Sequence, residues 1–138
     1  MRSNKAMINR RNLSGFVHAL KAGEAVWFAP DQDYGSKGSV FAPFFSVKKA
    51  ATTNGTYALS KLAGAHLITI SMIRRNDKKG YHMCISNPLS GYPGEDKVAA
   101  ANYMNKIIER EILRAPEQYL WMHRRFKTRP EGEVSLYK

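Results

Sequence analysis

Asp31-Gln32-Asp33-Tyr34-Gly35 sets two carboxylates two residues apart, directly after an apolar run, Ala25 to Ala29, that ends at Pro30. Ligand sites of α/β sheets lie at the carboxyl ends of strands, so acids at this place are positioned to orient a base, bind a cation or shape a pocket. The alternative is a solvated turn in which Asp31 caps its own loop, a common use of Asp. The second run with chemistry in it is His123-Arg124-Arg125-Phe126-Lys127-Thr128-Arg129, the densest basic cluster, with Trp121 close by and Phe126 interleaved. Guanidinium groups contact phosphates in pairs, which makes this run an anion cradle; a solvated terminal tail has the same composition. Asn4, Lys5, Arg10 and Arg11 form a looser cluster, and Arg74-Arg75 closes a strand, both fitting solvated element ends better than ligands.

Other chemistries are excluded by what the chain lacks. His18, His66, His82 and His123 never pair at metal-ligand spacing, and none has Asp or Glu four or five residues later. Gly35-Ser36-Lys37-Gly38-Ser39 lacks the Gly-Lys-Ser/Thr order of a phosphate loop, and no Gly-x-Ser-x-Gly elbow occurs. Cys84, the single cysteine, makes no internal disulfide and anchors no structural zinc. No complete catalytic constellation is present, and neither a metal nor a cofactor is expected.

The elements that must hold these residues follow from periodicity. Asn12 caps a helix in which Leu13, Phe16, Val17 and Leu20 share a face, with Gly23 as the stop. Ala25 to Ala29 reads as a short buried strand and Asp31 to Ser39 as a loop. Phe41 to Val47 is irregular or an edge because of Pro43. Thr52 or Thr53 caps a second helix that ends at Gly64. Leu67 to Ile73, apolar on both faces, reads as a central strand, joined to Tyr81–Ile85 by a hairpin turn at residues 76–80. A Pro- and Gly-containing loop, Asn87 to Gly94, leads into the longest helix. There Ala101, Met104, Ile108 and Ile112 face inward, with Lys106, Glu109 and Arg110 outward. Pro116 ends that helix or starts a short extra turn, and Tyr119 to Lys138 is an aromatic, basic tail. A strand, a helix and a strand in that order predict a right-handed parallel crossover in an α/β sheet.

With 138 residues the chain is one domain's worth, and no run approaches the roughly 20 consecutive apolar residues of a membrane span. Twenty-two Lys and Arg against eleven Asp and Glu give a net charge of +11. Such a surface seeks anions, and charge by itself leaves nucleic acid, anionic lipid and an acidic protein open.

Strings in order narrow the choice. Residues 2–5 (RSNK), Ala29-Pro30-Asp31-Gln32-Asp33-Tyr34-Gly35, Val40-Phe41-Ala42-Pro43-Phe44-Phe45, Ala51-Thr52-Thr53 and Ala115-Pro116-Glu117-Gln118-Tyr119 come first. The longest is Trp121-Met122-His123-Arg124-Arg125-Phe126-Lys127-Thr128-Arg129-Pro130-Glu131-Gly132. Together they resemble the carboxyl-terminal half of the lauroyl- and myristoyl-type late acyltransferases of lipid A biosynthesis, from Arg2 to the end of the chain. The resemblance implies a single, incomplete acyltransferase domain over residues 1–138. Its sheet would be a partial glycerolipid-acyltransferase-like one with flanking helices, lacking the N-terminal part of the fold.

It further implies transfer of a fatty acyl chain from acyl carrier protein to a hydroxyacyl chain of a Kdo-bearing lipid A precursor. The place implied is the cytoplasmic face of the Gram-negative inner membrane. Family members are about twice this long, with a membrane anchor and a His/acid motif upstream, the His acting as general base. Neither is in this sequence, so the chain by itself is expected to be inactive. Asp31 matches the acidic position of the family's second active-site block, and Arg124, Arg125, Lys127 and Arg129 match its basic block. The implied partners are acyl carrier protein, the lipid A precursor and an anionic membrane surface, with no nucleic acid. A peripheral anionic-lipid-binding module without catalysis and a basic nucleic-acid-binding protein are the alternatives, and neither accounts for the strings.

Overall fold

Side chains that cap backbone groups set the helix boundaries in the computed structural model, which describes residues 7–9 and 12–138. Asn12 Oδ1 accepts the Gly15 N–H at 2.9 Å and opens α1 (Leu13–Lys21). The N-cap of α2 (Gly55–Ala63) is Asn54, with no side-chain capping bond, and not Thr52 or Thr53 as expected; Thr53 Oγ1 accepts the Gly55 N–H at 3.0 Å, and Gly64 ends the helix in the left-handed region at φ 65°. Asp96 accepts from the N–H groups of Val98 and Ala99 and opens α3 (Lys97–Ile112). Two short 3-10 turns follow, Pro116–Gln118 and Trp121–His123. The RSNK string and the Asn4, Lys5, Arg10 and Arg11 cluster lie outside the described residues.

The strands form two separate antiparallel hairpins, so the fold is mixed α/β with small open sheets and flanking helices. β1 (Ser39–Phe44) pairs with β2 (Val47–Thr53), and β3 (Ile70–Arg74) pairs with β4 (Tyr81–Ile85). The expected parallel crossover is absent among the described residues. Ala25–Ala29 is not a strand, because a ladder needs a neighbour and none pairs with it among the described residues. β3 is no central strand either: Ile70 and Met72 are exposed on one face. The β3–β4 hairpin, the loop before α3, the extra turn at Pro116 and all three helices are as the sequence predicts.

Pro43 has a narrower effect than predicted. Residues 39–44 do form a strand, and the register shifts between Ala42 and Phe44, where Pro43 has no N–H to give. The hairpin turns at Phe45, a non-glycine residue at φ 49°. Glu109 Oε1 accepts the Phe45 N–H at 2.5 Å, and the Phe45 ring meets Phe44 edge-on with centroids 5.0 Å apart. Glu109 therefore turns inward to clamp the hairpin, whereas its place on α3 predicted an outward side chain. β2 escapes sequence reading because Val47-Lys48-Lys49-Ala50-Ala51-Thr52-Thr53 has no apolar alternation, yet Ala50, Ala51 and Thr52 are all buried.

The core lies between this hairpin and α3. Phe44, Ala50 and Ile112 are buried, with Phe45, Val47, Ile108, Tyr119 and Phe126 packed against them. Beside it sits a buried polar cluster. Asn105, fully buried, donates through Nδ2 to the Pro43 carbonyl at 2.8 Å and to Thr52 Oγ1 at 2.9 Å. Thr52 Oγ1 in turn donates to the Ala50 carbonyl at 3.2 Å. Removing Asn105 takes its donor from the Pro43 carbonyl and leaves Thr52 Oγ1 with Arg125 as its donor, so Asn105→Ala lowers stability in urea unfolding by about 2–3 kcal/mol, whereas Lys106→Ala on the exposed face changes it by less than about 0.5 kcal/mol.

Candidate functional site

The loop after Ala29 and the basic block near the C-terminus, about ninety residues apart in sequence, meet through Asp33. Its carboxylate is buried, accepting the Gly35 N–H and the Thr128 hydroxyl through Oδ1 and the Thr128 N–H through Oδ2, all within 2.9 Å. The Asp33 N–H donates to His123 Nε2 at 3.3 Å. Of the three uses open to acids in this loop, Asp33 serves to shape the site. The bond to Gly35 is an Asx-type turn that the Asp-x-Gly spacing signals. The partners at Thr128 and His123 carry no such local signal.

Asp31 is disposed differently. It is half-buried, and its carboxylate makes no hydrogen bond or ion pair among the described residues. Its carbonyl accepts the Tyr119 hydroxyl at 3.4 Å. Asp31 lines one end of an open groove of about 970 Å³. Val26, Trp27 and Phe28 line it together with residues 65–73, and α2 and α3 contribute Leu59, Met104 and Ile108. Burial, and after it the charge of Asp31, pushes the Tyr119 phenol up to about 12, with Arg125 pulling it down. Sequence reasoning left Tyr119 in the tail and gave it no role.

The basic block does not present one face. Arg124 sits in the left-handed region at φ 51°, and this sharp turn sends successive side chains opposite ways. Arg124 is exposed and lies over the Tyr137 ring at 5.8 Å. Arg125 is buried, donating to the Ala51 carbonyl at 2.7 Å and to Thr52 Oγ1 at 3.2 Å, with its guanidinium 4.7 Å from the Phe44 ring centre. Burial lowers its pKa from the usual arginine value. Lys127 is exposed. Arg129 donates to the Lys49 carbonyl at 2.8 Å and pairs with Glu133, which also holds Lys49 at 2.8 Å. The C-terminal stretch is thus folded onto β2 and the acidic loop, leaving Arg124 and Lys127 as the block's outward cations.

The family model for bacterial lipid A biosynthesis acyltransferase matches residues 1–128. The palmitoleoyltransferase of lipid A biosynthesis from Escherichia coli K12 is 68% identical over 137 residues, covering 99% of this chain and 44% of its own length. The lauroyltransferase of the same organism is 50% identical, covering 99% of this chain and 45% of its own. A lipid A biosynthesis acyltransferase of Haemophilus influenzae is 44% identical with the same coverage, 99% and 45%. The chain therefore spans less than half the length of these relatives. No helix among the described residues is long and apolar enough to cross a membrane.

Two outcomes follow from the geometry. Asp33→Ala strands the Thr128 and Gly35 donors, costing about 2–3 kcal/mol and speeding amide exchange at both, while Asp31→Asn, with no hydrogen bond to lose, stays within about 0.5 kcal/mol of the parent. The Tyr119 phenol is raised in the folded state, so its contribution to stability is complete below pH 10 and is lost as pH climbs toward 12. Ultraviolet titration of phenolate, with Tyr119→Phe as the control, shows one late-titrating tyrosine fewer and a shallower alkaline loss of stability in the variant.

Proposed function

The chain belongs to the bacterial lipid A biosynthesis acyltransferase family, and from that premise we propose that it is the carboxyl-terminal portion of an acyl-carrier-protein-dependent enzyme acting on a lipid A precursor. The reaction is a transesterification. The acceptor hydroxyl loses its proton to a base and attacks the thioester carbonyl. The carbon–sulfur bond breaks, an ester forms, and the carrier leaves as its thiol after taking a proton. The base comes from outside residues 1–138, since no histidine here has the His/acid spacing. Asp31 is the catalytic residue this chain supplies. The observation that carries this assignment is the contrast within one loop: Asp33 is consumed by structure, while the Asp31 carboxylate, beside the groove, has no partner among the described residues.

Arg124 and Lys127 are the residues proposed to meet acceptor phosphates or an anionic leaflet, each cation near such a surface contributing about 1 kcal/mol. Arg125 and Arg129 support them from below, holding the segment to β2. The net charge of +11 suits an acidic carrier protein as well as anionic lipid. The inner membrane is the place such an enzyme works, its anchor lying beyond these residues.

In a family-length polypeptide carrying these residues, Asp31→Asn lowers kcat by about a hundredfold or more. Arg124→Ala with Lys127→Ala raises the acceptor KM several-fold, an effect that shrinks at high salt. The isolated 138-residue chain forms no acylated product. Full turnover in the Asp31 variant removes that residue from the site, and transfer by the isolated chain removes the external base.

A further inference from the structure

Two stretches of backbone carry strand-forming side chains and have no ladder to join. Val26, Trp27 and Phe28 line the groove, and no backbone hydrogen bond engages them among the described residues. β3, which lines the same groove, is paired with β4 on one side only. The odd-numbered residues make that pairing: the Ser86 N–H donates to the Thr69 carbonyl at 3.0 Å and the Arg75 N–H to the Gly80 carbonyl at 2.9 Å. Antiparallel partners alternate between bonded and non-bonded pairs, so the backbone groups of Ile70, Met72 and Arg74 point to the outer edge. Arg74 is satisfied there by the Gln118 carboxamide, which accepts its N–H at 2.7 Å and donates to its carbonyl at 3.2 Å. Ile70 and Met72 meet no such partner among the described residues.

The same hairpin leaves an apolar face open. Ile70 lies opposite Ile85 and Met72 opposite Met83 in the register, and with Tyr81 all are more than half exposed. An open edge and a contiguous apolar patch both mark a surface built to be covered. We propose that the groove between Ala25–Ala29 and β3 is a strand seat for a segment of the same family-length polypeptide outside residues 1–138. That segment bonds to both stretches and joins the hairpin and residues 25–29 into one sheet. The element connected to it covers Ile70, Met72, Met83 and Ile85.

The occupant is polypeptide because both stretches offer backbone donors and acceptors, which an aliphatic chain would leave unpaired. The material for it exists, since the relatives' own lengths exceed this chain more than twofold at 44–45% coverage. The proposal rests on the reading that this chain is a portion of such a polypeptide. It does not depend on the acyl-transfer chemistry.

The test uses a chimera in which this chain replaces the 137 residues it matches in the E. coli palmitoleoyltransferase, studied by amide exchange in detergent solution. Ile70 and Met72 are expected to exchange at least a hundredfold more slowly than unstructured amides, together with slow amides within residues 26–28. Met83→Cys, in a Cys84→Ser background, is expected to react with maleimide at least tenfold more slowly than Lys79→Cys at the hairpin tip. Exchange at Ile70 and Met72 near the unstructured rate overturns the proposal. So does protection that is lost on dilution, which assigns the face to a second copy, or that arises only with phosphatidylglycerol vesicles, which assigns it to lipid. Slow exchange along α3 reports that the chimera is folded; otherwise the unmodified palmitoleoyltransferase, read at the matching positions, decides. Acyl transfer by the same protein is scored separately: a protected seat without turnover keeps this inference and removes the acyltransferase reading, and turnover with an open seat does the reverse.

Discussion

One hydroxyl joins the parts of this molecule that sequence separates most. Thr52 Oγ1 donates to its own strand at Ala50 and accepts from Asn105 of α3 and from Arg125 of the C-terminal stretch. A buried hydroxyl has one proton to give and two lone pairs to receive, and here all three are used. A core with one fully buried aromatic, Phe44, among partly buried neighbours is modest, and apolar contact alone specifies relative placement poorly. The directional bonds at Thr52 fix which face of α3 meets β2 and how deep Arg125 enters. Because its members are buried together and share the Thr52 hydroxyl, losing one donor weakens the placement of the others.

From that anchor the site is assembled by extension. Arg125 pins the C-terminal stretch to β2, the left-handed turn at Arg124 sends its neighbour outward, and Thr128 comes round to receive the Asp33 carboxylate. The acidic loop is thereby held in place by a segment near the other end of the chain. Of two acids two residues apart, one is spent on architecture, while the carboxylate of the other makes no hydrogen bond or ion pair among the described residues. The cations divide the same way, Arg125 and Arg129 inward, Arg124 and Lys127 outward.

What was legible in the sequence divides along the range of the interactions. Helices α1, α2 and α3 are written in local caps and periodic side chains, and the β3–β4 hairpin in its turn residues, so all were readable. The Asx turn at Asp33 was readable for the same reason. Its grip on Thr128, the inward Glu109 and the buried Asn105 were not, because each depends on a partner 53 to 95 residues away. β2 was missed because alanines and a threonine bury as well as leucines do but leave no hydropathy signal. Ala25–Ala29 has the side chains of a strand and no partner among the described residues, since composition states a preference that only a neighbour can realise.

The carboxamide of Gln118 has an effect out of proportion to its size. By taking both outward backbone groups of Arg74 it behaves as a one-residue strand and terminates the edge of β3. Open sheet edges otherwise invite indefinite growth from chain to chain. Here a bookend stands at one end of the shelf: a strand laid alongside Ile70 and Met72 would find no open backbone partner at Arg74, which bounds its reach without any contact from its own side chains.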